Sequence, residues 1–495
     1  MNASSEGSIS PNKPKKFDYN LIVIGAGAGG LVSSYIAAVI KAKVVLIERH
    51  KMGGDCLNTG CVPSKALIRS ARLISDARHS QRFGISAMPV QFDFAEIMER
   101  VQRVVNSVAP HDSIERYESL GVECITGDAR IVSPWQVQVN GKTLSTRAII
   151  VATGAKPLVP KLPGLDQIRY LTSDTIWDLR TLPKRLLVIG GGPIGCELAQ
   201  AFARFGANVT IVESADKLLA REDADVSNAL HAAMEADGVT LALSHKAVEF
   251  KKPAGTEGGV LVAENASGRV EFEFDEVLIA LGRKANIDGF GLQELGVKMT
   301  ERGTIAADPL MRTNVPSISA CGDVTGPFQF THVAAHQAWF AAVNQLFAPF
   351  WSFKVDYRVI PNATFTEPQV ARVGINETEA KAQGIAYELT HYGIADLDRA
   401  IADEHAHGFI KVLTKPGSDQ ILGVTIMSAE AGELIAEFVL AMKYRLGLNK
   451  ILGTIHTYPT MMEANKYVAG NWKRAHAPQG LLAWVKRFFD FRRGG

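Results

Sequence analysis

The densest chemistry in this chain of 495 residues lies in Gly53–Lys65, GGDCLNTGCVPSK. Two of only five cysteines, Cys56 and Cys61, stand there with four residues between them, followed by Pro63 and Lys65. That spacing is too wide for the Cys-x-x-Cys of a zinc knuckle, and no second Cys or His cluster follows nearby. Two readings stay open at this point: a structural staple, or a redox couple beside an electron source. Cys124, Cys196 and Cys321 are scattered through apolar or glycine-rich stretches and read as buried free thiols. With 47% hydrophobic and 21% charged residues and a net charge of +2, the composition is that of an ordinary globular protein. Its length implies more than one domain, about two to four. The charge balance does not point to nucleic acid, and no apolar run is long enough to cross a bilayer. The first 17 residues are polar without an apolar centre and read as a disordered arm, not a secretory signal. A cytoplasmic location is expected, where an oxidised cysteine pair is catalytic more often than structural.

The elements that must position this pair begin just upstream. An apolar strand at Leu21–Ile24 runs into Gly25-x-Gly27-x-x-Gly30, then a helix, then a strand ending in Glu48. Gly25 permits a tight turn, Gly27 lets a pyrophosphate approach the backbone, and Gly30 lets helix and strand pack closely. The helix N-terminus offers free N–H groups to phosphates, and Glu48 can accept both hydroxyls of a ribose. The pattern recurs as strand, Gly190-x-Gly192-x-x-Gly195, helix, strand and Glu213. Two such units imply two dinucleotides, or a dinucleotide and a flavin dinucleotide. Glu213 would bond a free 2′-hydroxyl and repel a 2′-phosphate, so NADH is expected over NADPH; the competing reading has Lys217 accommodate the phosphate. A helix-forming run, Ser64–Ala77, starts just after Cys61 and Pro63, and a helix N-terminus stabilises a thiolate. Electrons then have a source, which favours the redox couple.

At this level of detail the chain resembles the class I pyridine nucleotide–disulfide oxidoreductases, from about Tyr19 to Lys473. The likeness is carried by GGDCLNTGCVPSK, IIVATGAKP, the second GxGxxG, LIALGRKAN, SISACGDVTG, ATFTEPQVARVG and YPTMMEANKY. It implies an α/β fold with two Rossmann-like domains, for FAD and NAD(P), and a C-terminal α+β dimerisation domain. The expected boundaries are an FAD domain at 18–163 and 283–355, a nicotinamide domain at 164–282, a dimerisation domain at 356–475 and a basic aromatic tail at 476–495. By the same resemblance Cys61 is the thiol facing the flavin and Cys56 the interchange thiol that meets substrate. Lys65 and Glu197 match the ion pair beside flavin N5, Asp323 the acid at the ribityl or pyrophosphate region, and Thr153 and Gly154 the turn leaving the first dinucleotide fold. Ala334 falls near the flavin pyrimidine, and Arg283 marks re-entry to the flavin domain. Gly54, Thr59, Ile194 and Gly282 complete the cofactor-binding set that the motifs mark. The family is homodimeric, so residues near 458 would complete the partner's site. Electrons would pass from NAD(P)H through FAD to the Cys61/Cys56 disulfide.

The chain departs from the disulfide-reducing members at one place. They carry a His directly before Pro-Thr, with a Glu four residues after that Pro, as the proton-handling pair. Here the segment is TIHTYPTMMEANKY: Pro459, Thr460 and Glu463 match, but Tyr458 precedes the proline and His456 lies two residues earlier. Tyrosine titrates near pH ~10 and is a poor proton acceptor at neutral pH. In this the chain resembles mercuric reductase, although the C-terminal cysteine pair and N-terminal Cys-x-x-Cys that deliver the metal there have no counterpart. If Ile455–Tyr458 is extended, His456 and Tyr458 face one side and His456 is a candidate displaced base; the alternative is a structural histidine. Tyr458–Pro459 is a candidate cis peptide. The first expectation is therefore reduction of Hg(II) or a similar soft electrophile, with Cys56 and Cys61 as transient ligands and no structural metal. Dihydrolipoyl dehydrogenase or another disulfide reductase is the alternative. A flavin redox sensor, or a subunit of a membrane-associated complex, is the third. In the tail Trp484, Phe488 and Phe491 recur at helical spacing among Lys486, Arg487, Arg492 and Arg493. Such a stripe packs on its own domain or dimer mate, or touches anionic lipid.

Overall fold

The computed structural model describes residues 13–253, 255 and 257–495; positions 1–12 of the expected N-terminal arm lie outside them. The first parallel sheet runs in the order Val122–Thr126, Val44–Glu48, Tyr19–Ile24, Lys142–Val151, with Ile318–Ala320 added beside the last strand. Leu21, Ile22, Val23 and Val45 are wholly buried, because helices and loops cover both faces of a parallel sheet. The register Leu21↔Val44 to Ile24↔Ile47 brings the first glycine turn level with Glu48. A second parallel sheet repeats the plan: Thr240–Ala242, Asn208–Val212, Arg185–Ile189, Glu276–Ile279, Tyr170–Leu171. A short antiparallel ribbon, Ala155–Pro157 with Arg283–Ala285, ties the exit from the first unit to the return from the second. Gly154 and Gly282 flank it.

The third sheet is antiparallel throughout, in the order Pro361–Thr364, Gln369–Gly374, Ile421–Ser428, Phe409–Thr414, Glu388–Gly393. Helices Ala431–Lys443 and Glu463–Ala475 bury Phe438, Leu434, Val468 and Trp472 in the same core as Val373, Val412 and Ile426 of this sheet. The architecture is thus the expected α/β fold of two Rossmann-like units followed by an α+β unit. Among the described residues no helix is long and apolar enough to cross a membrane.

Charged groups join the second unit to the third. Lys411, 1% exposed, sends Nζ to Asp223 (3.0 Å), Asp225 (2.9 Å) and Glu377 (2.8 Å). Arg372 pairs with Glu222 at 3.2 Å and Glu379 at 2.7 Å. A buried ion pair is costly to break from one side, because the surviving charge stays desolvated. Lys411→Met should therefore cost about 3 kcal/mol or more of stability. Arg103→Met, at an exposed pair with Glu96, should cost less than about 1 kcal/mol. Denaturant unfolding midpoints of the two variants test the contrast.

Candidate active site

The cysteine pair sits where a short helix hands over to a long one. Gly54–Asn58 carries Cys56, and Gly60 leads into Cys61–Arg78, which begins at Cys61 itself and not at Ser64. Pro63 lies inside the first turn, where a missing N–H costs nothing, so the proline does not delay the helix. Both cysteines are thiols in this structure, Cys56 half-buried and Cys61 exposed. A hydrogen bond between the thiols makes the pair asymmetric. The Cys56 thiol as donor, the Thr331 hydroxyl (3.6 Å from Cys61 Sγ) and the Lys65 charge lower the Cys61 pKa to about 6. The same bond, with burial, pushes the Cys56 thiol upward. One thiolate and one thiol is the arrangement that results, with the negative charge on Cys61. Cys196 and Cys321 are buried and Cys124 half-buried, all three unbonded.

Lys65 lies one helical turn beyond Cys61, and its Nζ reaches Glu197 Oε2 at 2.8 Å. Glu197 is buried (6% exposed) on helix Pro193–Phe205, which belongs to the second glycine motif. Its other oxygen accepts the Phe365 N–H at 2.8 Å, and the Phe365 ring lies 4.3 Å below the Lys65 ammonium. Gln200 on the same helix exchanges two 2.8 Å bonds with the Glu367 backbone, and Arg204 pairs with the Glu367 carboxylate. One helix face thus carries the dimerisation-unit segment ATFTEPQ against the cysteine helix. Leu67 and Ala71 bury into the same core as Leu198 and Phe202.

The glycine loops fit dinucleotides. A Cβ on Gly30 would fall 1.7 Å from the Gly25 carbonyl oxygen, and one on Gly195 2.0 Å from that of Gly190. Each helix is therefore pressed onto its turn as only glycine allows. Over Gly27 the nearest atom among the described residues is Gly54 Cα at 3.9 Å, and over Gly192 nothing lies within 4 Å. Both backbones are open to a pyrophosphate. Glu48 and Glu213 use their oxygens alike. Glu48 accepts Ala26 N–H (2.7 Å) and His50 N–H (2.8 Å); Glu213 accepts Gly191 N–H (2.6 Å) and Ala215 N–H (2.7 Å). Lys217 points its ammonium at the Glu222 carbonyl.

The flavin-side residues converge on Arg283. Its Nη2 pairs with Asp55 at 2.7 Å and its Nε, buried and without a hydrogen-bond acceptor among the described residues, lies 3.8 Å from Asp323. Burial raises the Asp323 carboxyl pKa, with Arg283 opposing. An orphaned guanidinium N–H and a desolvated acid suit the hydroxyls and phosphates of FAD, which Asp323, Arg283 and the first glycine loop would hold. The Thr59 hydroxyl is bound to Asp55, and Thr153 exchanges two bonds with Asn286. Ala334 is buried in the first turn of Thr331–Phe347, beside Gly322, and Ile194 packs against the core shared with the cysteine helix.

The Tyr458–Pro459 peptide is cis. His456 and Tyr458 do not share a side. The His456 ring is buried, with Nε2 at 3.0 Å from Glu437 and Nδ1 at 3.1 Å from the Thr454 carbonyl oxygen. Tyr458 is 65% exposed and donates its hydroxyl to Asp398 at 3.0 Å. The Glu437 carboxylate, itself bonded to Asn465, holds the buried imidazole. His456, expected as a displaced base or a structural histidine, is thus held by Glu437 and the Thr454 carbonyl oxygen. The Asp398 carboxylate holds the Tyr458 phenol above its ordinary pKa. Glu463 opens helix Glu463–Ala475 as a buried acid beside Tyr467. Sequence reasoning missed Thr331, Asp55, Phe365 and Asp398; only Thr331, at the head of a helix after FQF, left a local trace.

Comparison with known proteins gives the same grouping. The family model described as pyridine nucleotide-disulphide oxidoreductase matches residues 19–338, and that family's dimerisation domain matches 360–469. The chain is 35% identical over 451 residues to dihydrolipoyl dehydrogenase from Chlamydia muridarum, covering 90% of this chain and 95% of that one. It is 32% identical over 458 residues to mercuric reductase from Bacillus cereus, covering 92% and 72%. Among solved structures, the Cu(II) complex of the HOCl-induced flavoprotein disulfide reductase RclA from Escherichia coli superposes with a TM-score of 0.80 at 25% identity, over 90% and 98% of the two chains. LpdA from Mycobacterium tuberculosis gives 0.82 at 26% identity, over 91% and 99%.

The thiol geometry sets a measurable titration. In the reduced protein Cys61 should form its thiolate with a midpoint near pH 6. Cys56→Ala removes the leading donor and should move that midpoint upward, so that Cys61 alkylation at pH 6 slows. Ultraviolet thiolate absorbance against pH checks the direction; an unmoved midpoint would refute the assignment.

Proposed function

Because this chain belongs to the pyridine nucleotide–disulphide oxidoreductases, we propose that it reduces a soft, thiol-bound metal ion of the Hg(II) type with NADH. Membership makes it a flavin-dependent enzyme with FAD and NAD(P)H as cofactors, and its dimerisation domain makes it a homodimer. When bound, FAD carries reducing equivalents from the nicotinamide to the cysteine pair.

The observation that carries the metal reading is the Tyr458 position. A disulfide substrate releases a basic sulfur that needs a proton, and an imidazole titrating near ~6.5 supplies it. Here the hydroxyl of Tyr458 is engaged by Asp398, and the nearest imidazole in sequence, His456, is turned to Glu437. A metal ion leaving its carrier thiolates for Cys56 and Cys61 asks for soft ligands and not for a base. Cys61 is the more readily charged of the two thiols, and Cys56 would pass its proton to a departing carrier thiolate as the ion binds. Lys65 balances that charge from one turn away, and Glu197 fixes Lys65. Mercuric reductases at 31–34% identity and the copper complex of RclA support the reading. A disulfide-reductase reading is favoured by one fact: dihydrolipoyl dehydrogenases match over 94–95% of their length, mercuric reductases over 72–84%. NADH is preferred because the Glu213 carboxylate repels a 2′-phosphate while Lys217 is turned to Glu222.

Anaerobic steady-state turnover tests both points, with thiol-complexed Hg(II), lipoamide and oxidised glutathione as acceptors. Turnover is expected with Hg(II) and lost in Cys56→Ser, with kcat/KM for NADH at least about tenfold above that for NADPH. Turnover with lipoamide or glutathione disulfide, without Hg(II), would overturn the metal reading.

A further inference from the structure

The chain closes in a helix, Gln479–Arg492, that its own fold does not use. None of its residues is buried: Leu481 is 55% exposed, Trp484 62%, Phe489 53% and Phe491 78%. At about 100° per residue, Leu481, Leu482, Trp484, Val485, Phe488, Phe489 and Phe491 fall on one half of the cylinder. Lys486 and Arg487 border that half on its two edges, with Asp490 between them on the far side. Arg492, the last residue of the helix, falls within the apolar half, with its guanidinium over the Phe488 ring at 5.9 Å. Trp484 and Phe488 stack at 6.1 Å, and Phe488 and Phe489 touch at 5.6 Å, so the aromatics form a continuous strip. An apolar helix face of this width left in water is a docking surface.

Charge selects the occupant. Residues 481–495 hold Lys486, Arg487, Arg492 and Arg493 against Asp490 alone, a net +3. The other 480 residues, with 49 lysines and arginines against 50 acids, carry −1. The net positive charge of the protein is thus carried by this helix and the Arg493 that follows it. Against a second copy, a twofold contact would set +3 against +3. Against an anionic bilayer the same charges are matched: aromatic and aliphatic side chains enter the headgroup–acyl boundary while the lysine and arginines remain at the phosphates. We propose that Gln479–Arg492 is an in-plane anchor that holds this enzyme on anionic lipid surfaces. The proposal does not depend on which acceptor the active site reduces.

Vesicle flotation of the full-length holoenzyme tests it, using phosphatidylcholine alone and phosphatidylcholine mixed with phosphatidylglycerol, at low and high salt. The wild type should float with the mixed vesicles at low salt and fall at least about tenfold in bound fraction on pure phosphatidylcholine. Truncation after Pro478, and Phe488→Asp in the full chain, should abolish flotation. FAD content, NADH turnover with a soluble acceptor and far-ultraviolet dichroism show that both variants are folded. No flotation of the wild type on any vesicle overturns the proposal, as does flotation that survives truncation. If truncation instead converts the dimer to monomer, the helix covers a second copy and the lipid assignment falls.

Discussion

The contact between Lys65 and Glu197 is the joint on which the site depends. Three units meet there. Lys65 comes from the cysteine helix, Glu197 from the helix of the second glycine motif, and the Phe365 N–H, which takes the other carboxylate oxygen, from the start of the third unit. Because Glu197 is buried, removing Lys65 would strand an acid and removing Glu197 would strand an ammonium and an amide together. The ammonium also rests on the Phe365 ring, so its position is fixed from two directions. Lys65 is four residues beyond Cys61 on one helix face, which places this fixed charge where it favours the Cys61 thiolate.

The two thiols differ because their surroundings do. Cys61 opens its helix and faces Thr331, Lys65 and the Cys56 thiol, all of which favour a negative sulfur. Cys56 sits in the preceding short helix and gives its proton to that bond. A pair built from two equivalent thiols would share one charge evenly; here the groups around Cys61 favour its thiolate over that of Cys56.

Much of this was legible in the sequence, and the limits have physical causes. Glycine spacing and a terminal acid define a nucleotide loop because each residue answers a local steric or hydrogen-bonding need, so both loops were readable at Gly25–Gly30 and Gly190–Gly195. The Lys65–Glu197 pairing, 132 residues apart, came through family likeness and not through spacing. The helix start at Cys61 was misjudged because proline suggests a boundary, whereas in a first turn it is harmless. The partner of His456 was not legible because Glu437 lies 19 residues away on another helix. Long-range charge contacts such as Lys411 with Asp223 leave no local pattern. For the closing helix the periodicity was visible, while its lack of packing against the chain is a fact of tertiary structure alone.

The paired use of Glu48 and Glu213 bears on any attempt to retune the coenzyme. Each acid staples the end of its second strand to the amide just past the first motif glycine, which helps to fix the shape of the loop. Exchanging Glu213 for a cation to welcome a 2′-phosphate would therefore do more than reverse a charge. It would unfasten the hinge of the loop at the same stroke, and a redesign for NADPH would have to restore that fastening from another side chain.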